Sequence, residues 1–272
     1  MQRIDSVNIG PVTIGQGRLA LIGGPCVAES LDLCLRVAEH MAGVCRKLDI
    51  GYIFKASYDK ANRTAVDNPR GPGLGSGLEW LAKVRETLGM PVLSDVHDVE
   101  QTRQAGAVLD CLQIPAFLCR QTDLLLAAGQ TGKAVNIKKG QFVAPERMSF
   151  AVEKVLSTGN TRVLLCERGT CFGYDNLVTD FRGLPLMRQF CPVVFDATHS
   201  VQQPGSGKST GGQRQFVPLL AKSAMAAGAD ALFLELHPNP DRAQSDAATQ
   251  WPLHQAEELL KKCLDIFHVA RE

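Results

Sequence analysis

Short apolar runs alternate with longer amphipathic stretches along most of the chain. Eight such runs occur, each followed by a segment long enough for a helix: residues 19–23, 52–56, 91–95, 111–115, 134–138, 162–166, 192–196 and 231–235. This alternation indicates repeated strand–helix units around a parallel sheet. Eight units in about 250 residues is the count of a closed barrel, whereas doubly wound sheets usually stop earlier. The pattern therefore predicts the α/β class and a (β/α)8 TIM barrel.

The segment before Leu19 lies outside the repeating pattern. We expect it to form a short strand pair or arm that caps the barrel floor. No linker, low-complexity tract or internal sequence repeat interrupts the rest of the chain. Residues 1–272 are therefore expected to form a single barrel catalytic domain.

Composition narrows the possible partners and the compartment. The chain is 45% hydrophobic and 21% charged, with a formal net charge of +1 and no basic tail. This balance supports a large core and argues against nucleic acid or an anionic membrane as a partner. The first residues contain no apolar signal core, and no stretch is long enough to cross a bilayer, so a cytoplasmic location is expected. Nine cysteines without CxxC spacing argue against a disulfide framework.

Polar and charged residues end the predicted strands at nearly every position. The set comprises Cys26, Lys55, Asp95, His97, Gln113, Lys138, Arg168, Asp196, His199, Glu235 and His237. In an eight-fold barrel the active site forms at the carboxyl ends of the strands. The strands of a barrel without a catalytic role would be expected to end in turn-forming residues. The charged and polar residues found at these strand ends therefore predict a reaction centre.

Six cations fall on these strand ends or on the segments just after them: Lys55, Lys60, Arg63, Arg120, Lys138 and Arg168. Any single one could belong to a solvated rim. Lys55 and Lys138, however, interrupt apolar runs, where a cation is costly unless an anion meets it. Several cations around one mouth indicate small-molecule substrates that carry phosphate and carboxylate groups.

A second group of candidates has the chemistry of metal ligands. Cys26, His199, Glu235 and Asp246 offer a thiolate, an imidazole and two carboxylates, a set that favours a divalent transition metal such as zinc, iron, manganese or cobalt. The first and eighth strands of a barrel are neighbours, so these distant positions converge. A buried cysteine beside a catalytic histidine without a metal is the alternative.

The stretch QPGSGKST at residues 203–210 resembles half of a nucleotide-binding phosphate loop. A complete loop needs a glycine at position 202, where this chain has Gln202. Pro204 also removes one amide donor, and Gly211 and Gly212 follow where a helix should begin. The pattern therefore argues against a nucleoside triphosphate and favours a loop that holds another phosphate or acts as a lid.

Specific motifs resemble one enzyme family along essentially the whole chain. They include GGPCVAES (23–30), FKASYDKANRT (54–64), NIKKGQF (136–142), FDATHSVQ (195–202) and ELHPNPDRAQSDAATQ (235–250). Together they resemble the 3-deoxy-D-manno-octulosonate 8-phosphate (KDO-8-phosphate) synthases. The resemblance implies a barrel, usually a homotetramer, that condenses phosphoenolpyruvate with arabinose 5-phosphate for the inner core of lipopolysaccharide.

The resemblance also implies roles for individual residues. The expected phosphoenolpyruvate contacts are Lys55, Ser57, Gln113, Pro115, Ala116, Lys138 and Arg168. Lys60 and Asn62 resemble the groups that hold the aldehyde sugar, and Arg63 and Arg120 resemble residues that reach across a subunit boundary toward phosphate. Asp95 and His97 resemble polar groups of the active site, with His97 or Asp246 moving the proton. Whether Ser209 or Thr210 contacts the sugar phosphate stays open.

The resemblance places the chain in the metal-dependent branch of the family, with Cys26, His199, Glu235 and Asp246 as ligands. In the metal-independent branch an asparagine occupies the position of Cys26, and loss of a soft thiolate weakens the affinity for a transition metal.

Three rival functions remain. A sibling synthase joins phosphoenolpyruvate to erythrose 4-phosphate on the same barrel, although Asn62 and the lack of a regulatory domain argue against it. A Schiff-base aldolase would use Lys55 or Lys138. A non-catalytic phosphate-binding or nucleotide-binding protein would use residues 203–210 but leaves the polar strand ends without a purpose.

Overall fold

The computed structural model describes residues 3–171, 176–203 and 211–272 of the chain. Within these ranges the strands are β1 (Val7–Ile9), β2 (Val12–Ile14), β3 (Ala20–Gly24), β4 (Gly51–Lys55), β5 (Val92–Asp95), β6 (Cys111–Ile114), β7 (Ala134–Lys138), β8 (Val163–Glu167), β9 (Val193–Asp196), β10 (Gln202–Gln203), β11 (Gly211–Gly212), β12 (Ala231–His237) and β13 (Trp251–Pro252). The helices are α1 (Leu31–Lys47), α2 (Leu74–Leu88), α3 (Val99–Val108), α4 (Thr122–Gln130), α5 (Ser149–Leu156), α6 (Gly183–Met187), α7 (Val217–Ala226) and α8 (Ala256–Val269).

Eight parallel strands close into a barrel. The strands β3 to β9 pair in sequence order, and β12 pairs with both β3 and β9. The predicted (β/α)8 barrel is therefore confirmed, and each predicted strand agrees with an observed one to within one or two residues at its ends. The largest difference is in β12, which extends to His237 because Leu236 and His237 pair with the short strand β13.

The segment before Leu19 forms the expected cap. β1 and β2 pair antiparallel, and their side chains Val7, Ile9, Val12 and Ile14 are buried. These four side chains pack with the apolar residues inside the lower half of the barrel. The hairpin therefore closes the end opposite the strand carboxyl ends, because burying it removes apolar surface from water at the open floor.

The barrel interior changes from apolar to polar toward the carboxyl ends of the strands. The lower layers contain Ala20, Ile22, Ile53, Leu93, Cys111, Ala134, Leu164, Cys166, Val194, Ala231 and Phe233. Since alternate residues of a strand face the same side, the next inward positions are Lys55, Asp95, Gln113, Asn136, Lys138, Asp196 and Glu235. All seven are buried. The apolar core thus ends in a layer of charged and amide groups, which forms the floor of the site described below.

Gly24 ends β3 where the chain approaches the neighbouring strand most closely. A Cβ atom at this position would lie 2.1 Å from the carbonyl oxygen of Lys55. Only glycine fits such a close approach of two backbones. Gly24 therefore allows Cys26, two residues further along the chain, to lie directly beside β4.

Two expectations from composition have structural counterparts. Eight of the cysteines are buried free thiols, the arrangement expected of small apolar side chains rather than of a disulfide framework. Among the described residues, no helix has the length and apolar character needed to span a bilayer.

Candidate active site

A cavity of about 860 Å³ opens at the carboxyl ends of the barrel strands. Its walls contain thirteen of the residues that the sequence predicted for a site: Lys55, Lys60, Asn62, Arg63, Asp95, His97, Gln113, Pro115, Ala116, Lys138, Arg168, His199 and Asp246. Residues separated by most of the chain length therefore meet at one end of the barrel.

Six further predicted residues within the described parts of the chain do not line this cavity: Cys26, Ser57, Arg120, Asp196, Glu235 and His237. Cys26, Ser57 and Glu235 are fully buried behind its wall. Arg120 is exposed and lies on the segment after β6. Ser209 and Thr210 lie outside the described residues, so the structure gives no account of either one.

Lys55 and Lys138, the two cations inside the barrel, are each paired with a carboxylate of the protein. Lys55 Nζ lies 2.5 Å from Glu235 Oε1, and Lys138 Nζ contacts Asp196 Oδ2. A lysine in an apolar strand needs an anion close to it, and here Glu235 and Asp196 of the same chain provide that negative charge. The carboxylates offset the cost of burying the ammonium groups. Lys55 Nζ also donates to the Cys26 carbonyl at 3.0 Å, so Lys55 has one hydrogen left for a ligand, whereas Lys138 keeps more than one beyond its contact with Asp196.

Lys138 also lies over an aromatic ring. Its Nζ is 3.7 Å from the centroid of Phe233, which belongs to the topmost apolar layer. Burial lowers the pKa of Lys138, but Asp196 outweighs burial and the pKa lies above its ordinary value. The side chain therefore stays a cation at neutral pH, which opposes the idea that Lys138 is a Schiff-base nucleophile.

Arg168 presents an unpaired donor at the same end of the barrel. Its Nη2 donates to Gln202 Oε1 at 2.6 Å, whereas its buried Nη1 has no hydrogen-bond partner among residues 3–171, 176–203 and 211–272. A buried guanidinium nitrogen without a partner costs about 1–3 kcal/mol or more. Binding of an anion to Nη1 would remove that cost.

Asp95 is held by a chain of hydrogen bonds that runs across three strands. Ser57 Oγ donates to Asp95 Oδ2, and Gln113 Nε2 donates to Asp95 Oδ1 at 2.6 Å. Asn136 Nδ2 donates in turn to Gln113 Oε1 at 2.9 Å. Burial raises the pKa of Asp95, but Lys55 and Lys60 outweigh it and hold the pKa far below its ordinary value. Ser57 therefore orients an ionised carboxylate, and the sequence alone could not distinguish this arrangement from direct substrate contact.

The four predicted metal ligands converge. One ligand atom from each of Cys26, Glu235 and Asp246 lies within 4.8 Å of the others. His199 Nε2 joins this group at 3.6 Å from Glu235 Oε2 and 3.3 Å from Asp246 Oδ2. The convergence follows from barrel closure, because β12 pairs with β3 and brings Glu235 opposite Gly24.

Local contacts aim two of these side chains into the cluster. His199 follows β9, and its Nδ1 lies 2.7 Å from Asp196 Oδ2, which leaves Nε2 facing Glu235 and Asp246. Asp246 has a positive φ of 48°, an uncommon backbone conformation for a residue with a side chain. Non-glycine residues in this conformation concentrate at functional sites, and aspartate is among the residues that tolerate it best.

The donor set fits a divalent transition metal. Glu235 Oε2 is buried and has no hydrogen-bond partner among the described residues, as expected of an oxygen that a cation would satisfy. Sulfur, imidazole nitrogen and carboxylate oxygen together suit zinc, iron, manganese or cobalt. Burial, reinforced by Asp246 and Glu235, raises the pKa of the Cys26 thiol well above its ordinary value. Without a cation the thiol is therefore protonated.

The segment from residue 59 to residue 70 forms the outer wall of the cavity. Lys60 Nζ lies 3.8 Å from Glu235 Oε1. Burial lowers the pKa of Lys60, but neighbouring acidic groups, Cys26 and Glu235 foremost, raise it well above the ordinary value. Arg63 Nη1 donates to Ser245 Oγ at 2.8 Å, and Arg63 Nε donates to the Pro69 carbonyl at 2.7 Å. In a single chain Arg63 thus faces its own cavity.

His97 stands on the opposite side and is anchored from behind. Its Nδ1 lies 3.1 Å from Gln101 Oε1, which also accepts a hydrogen bond from the Tyr58 hydroxyl at 2.9 Å. The rings of His97 and Tyr58 meet edge to face with centroids 5.6 Å apart. These contacts leave Nε2 of His97 available to the cavity.

The residues that flank the glycine-rich stretch contradict a nucleotide-binding loop. β10 and β11 pair antiparallel, with Gln202 opposite Gly212 and Gln203 opposite Gly211. A phosphate loop of the nucleotide-binding kind connects a strand directly to a helix. Here the stretch instead joins two paired strands, and α7 begins only at Val217.

Sequence reasoning assigns no role to several polar residues of this region. Gln202, which is the partner of Arg168, enters it only as a missing glycine. Lys139 is fully buried, with its Nζ 3.1 Å from Thr170 Oγ1 and 3.4 Å from the Val143 carbonyl, so it ties together the loops that follow β7 and β8. The sequence hints at this role only through strand alternation. Residue 139 points to the opposite side of the strand from Lys138, so a buried ammonium group there requires a separate set of oxygen acceptors. Ser245 is the third, and its Oγ lies 3.0 Å from Cys26 Sγ.

The fold and this site belong to a known class of barrel enzymes. The family model described as the DAHP synthetase I family matches residues 3–270, and the chain belongs to that family.

Within the family, highly similar relatives share one name. The chain is 58% identical over 265 residues to the 2-dehydro-3-deoxyphosphooctonate aldolase of Syntrophotalea carbinolica, with 96% of each chain covered. It is 55% identical over 267 residues to the protein of that name from Koribacter versatilis, covering 97% of this chain and 96% of the relative. The protein of the same name from Syntrophobacter fumaroxidans is 53% identical over 262 residues, with 96% and 91% covered. The resemblance to KDO-8-phosphate synthases, another name for these aldolases, is thereby confirmed.

Proposed function

We propose that the chain is a transferase that condenses phosphoenolpyruvate with arabinose 5-phosphate and water to give KDO-8-phosphate and inorganic phosphate. The observation that carries this proposal is one cavity whose wall contains the cations Lys138 and Arg168 together with His199 and Asp246. The other two members of the cluster, Cys26 and Glu235, are buried directly behind that wall. The cations can bind an anionic enol phosphate, and the cluster lies beside the side of the cavity that we assign to the aldehyde sugar. The name of the relatives supports the same eight-carbon product. The product is used to build the inner core of lipopolysaccharide. The whole chain acts as one catalytic domain.

Phosphoenolpyruvate occupies the cationic side of the cavity. Arg168 donates from its free Nη1, and Lys138 donates a second hydrogen bond from above the Phe233 ring. Gln113 and the backbone of Pro115 and Ala116 form the adjoining wall. Fixing the anion against these groups removes rotational freedom before the chemical step and neutralises charge.

The aldehyde sugar occupies the side formed by residues 59–70. The protonated Lys60 donates to the aldehyde oxygen, and the Asn62 amide holds a sugar hydroxyl. Carbon 3 of phosphoenolpyruvate forms a bond to the aldehyde carbon, a water oxygen adds at carbon 2, and the bond from carbon 2 to the phosphate oxygen breaks. Phosphate leaves with that electron pair, and the new hydroxyl on carbon 2 gives its proton to the departing phosphate as the ketone forms. The former aldehyde oxygen takes a proton from Lys60 and becomes a hydroxyl. His97 or Asp246 accepts the proton from water.

Cys26, His199, Glu235 and Asp246 would hold a divalent transition metal beside this side of the cavity. When bound, such a metal supplies a Lewis-acidic charge that polarises an oxygen group. The chain's own contribution is to hold the four ligands, and Asp196 fixes the His199 ring through Nδ1.

Phosphate release with two aldehydes tests the proposal against its nearest rival. Purified enzyme is assayed with phosphoenolpyruvate and either arabinose 5-phosphate or erythrose 4-phosphate. We expect turnover with the five-carbon aldehyde and little or none with the four-carbon aldehyde. The reverse preference would assign the chain to the sibling reaction. Covalent trapping by borohydride in the presence of substrate would instead indicate a Schiff-base aldolase.

Asn62→Ala is expected to raise KM for arabinose 5-phosphate and lower kcat/KM by about 10–100-fold, because one hydrogen bond to the acceptor sugar is lost. The KM for phosphoenolpyruvate should change little. Asn62 is exposed, so the melting temperature should also stay within a few degrees of the wild-type value. Steady-state kinetics with each substrate varied in turn measure this, and unchanged kinetics would remove Asn62 from the acceptor site.

The quaternary state belongs to the same proposal. We expect a cytoplasmic homotetramer whose active sites lie near subunit boundaries, with no nucleic acid or membrane partner. Support comes from the segment after β6, where Arg120 is exposed and Phe117 is 56% exposed while also lining the cavity. Large exposed aromatic residues beside a cavity often mark a contact surface. Light scattering of the purified chain measures the subunit number.

A further inference from the structure

We propose that Ser245 is a positioning residue that donates a hydrogen bond to the Cys26 sulfur and links that sulfur to the Arg63 guanidinium. The inference rests on the metal-binding part of the proposed function and adds a residue to which neither the motifs nor the family assigned a role. Ser245 precedes Asp246 and is 3% exposed.

The donor direction follows from the chemistry of the three groups. Ser245 Oγ lies 2.8 Å from Arg63 Nη1 and 3.0 Å from Cys26 Sγ. A guanidinium only donates, so the serine oxygen accepts from Arg63. The serine hydrogen is then free to point at the sulfur. Once Cys26 is a thiolate, the order of donation is Arg63 to Ser245 to Cys26.

The sulfur needs such a donor because its other close neighbour is acidic. Cys26 Sγ lies 3.5 Å from Asp246 Oδ2, a carboxylate oxygen that can accept a hydrogen bond but cannot donate one to the sulfur. A hydroxyl polarised by a guanidinium donates more strongly than an isolated hydroxyl, since bonds in a chain reinforce one another. Donors of this kind orient metal ligands and tune their affinity.

Other contacts already hold the loop that carries Ser245. Gln250 Nε2 donates to the Ser245 carbonyl at 2.8 Å, and the Gln244 amide donates to Glu29 Oε1 at 3.0 Å. The Thr249 amide donates to the Asp246 carbonyl at 3.0 Å. None of these bonds uses the Ser245 hydroxyl. The hydroxyl is therefore free to serve the sulfur without being needed to fold the loop.

The test uses Co²⁺ as a spectroscopic probe in the full-length chain. Co²⁺ bound by a thiolate gives a charge-transfer absorption in the near ultraviolet, and a competing chromophoric chelator measures the affinity. For Ser245→Ala we expect Co²⁺ affinity to fall about 10–100-fold and the band to move to lower energy, because the sulfur lone pairs lose their donor. Ser245→Thr keeps the hydroxyl and should restore both values.

Two further variants separate a donor from a merely structural residue. Ser94 is a buried serine outside the cluster whose Oγ accepts from the Tyr58 amide, so Ser94→Ala should leave Co²⁺ affinity and the band unchanged. Arg63→Met should weaken affinity less than Ser245→Ala does, and adding it to Ser245→Ala should cause no further change, because the two act through one chain of bonds.

Three results would overturn the inference. One is a Ser245→Ala chain with wild-type affinity and band position. Another is a Ser245→Ala chain that binds Co²⁺ more weakly but keeps the wild-type position of the charge-transfer band, because Ser245 would then have only a structural role. The third is a wild-type chain without a charge-transfer band, which would remove the metal assignment as well. The phosphate-release assay of the wild-type chain is independent of all three, so failure of the proposed reaction is detected separately.

Discussion

Cys26→Ala is expected to lower kcat/KM by at least about 100-fold and to abolish stoichiometric binding of a transition metal. The substitution removes the only sulfur from the cluster with Glu235 and Asp246, and a catalytic metal contributes several kcal/mol of charge stabilisation. Chelation of the wild-type enzyme should have the same effect. A divalent transition metal should then restore the wild-type enzyme but not the variant. Elemental analysis and phosphate release on the same samples measure both effects.

Cys34→Ala provides the matched control for this result. Cys34 is another buried cysteine, but it lies on α1 and packs in the core away from the cluster. Its loss should cost about 1 kcal/mol of stability and leave metal content and activity intact. Full activity in a wild-type preparation shown to contain no metal would remove the metal from the reaction.

Lys138→Met is expected to have the second large effect, on both activity and stability. Loss of the buried cation that we propose to contact phosphoenolpyruvate should reduce kcat/KM by about 100-fold or more. The Asp196 carboxylate would also lose its ammonium partner in the barrel interior, which should destabilise the fold by roughly 3 kcal/mol. Thermal unfolding and steady-state kinetics measure the two losses.

A second variant separates the two effects of Lys138. Neutralising the partner in Lys138→Met/Asp196→Asn should recover much of the stability but none of the activity. The proposed substrate contact is still missing, and the Asp196 contact that fixes the His199 ring is weakened as well. Lys262→Met on the exposed face of α8 should leave both unchanged within roughly 0.5 kcal/mol. A double variant that regained activity would show that Lys138 serves the fold and not the substrate.

The sequence predicted the barrel well because its signal is local. Each strand is a short apolar run, and the fold adds only the closing pair between β12 and β3. The rule that barrel sites form at strand carboxyl ends then selects most of the cavity wall from strand positions alone. The family resemblance extends the selection to residues such as Asn62 and Pro115, which have no local signal of their own.

The partners of the predicted residues could not be read from the sequence. Lys55 and Glu235 are 180 positions apart, and their contact depends on the barrel register. The sequence therefore assigned the anion to a substrate alone and could not reveal that Glu235 also meets Lys55. The same limit applies to Ser57, whose hydroxyl binds Asp95, and to Ser245, whose neighbours come from two other segments. Such contacts follow from three-dimensional packing and leave no periodic trace in the chain.

The pairing of the first and last barrel strands has a consequence for biosynthesis. Asp246 lies 220 residues after Cys26 in the chain, so it is synthesised long after Cys26. A nascent chain therefore lacks the full set of proposed ligands until β12 and the loop after it have been made. A chain truncated before β12 would lack the strand that closes the barrel together with two of the four proposed ligands, Glu235 and Asp246.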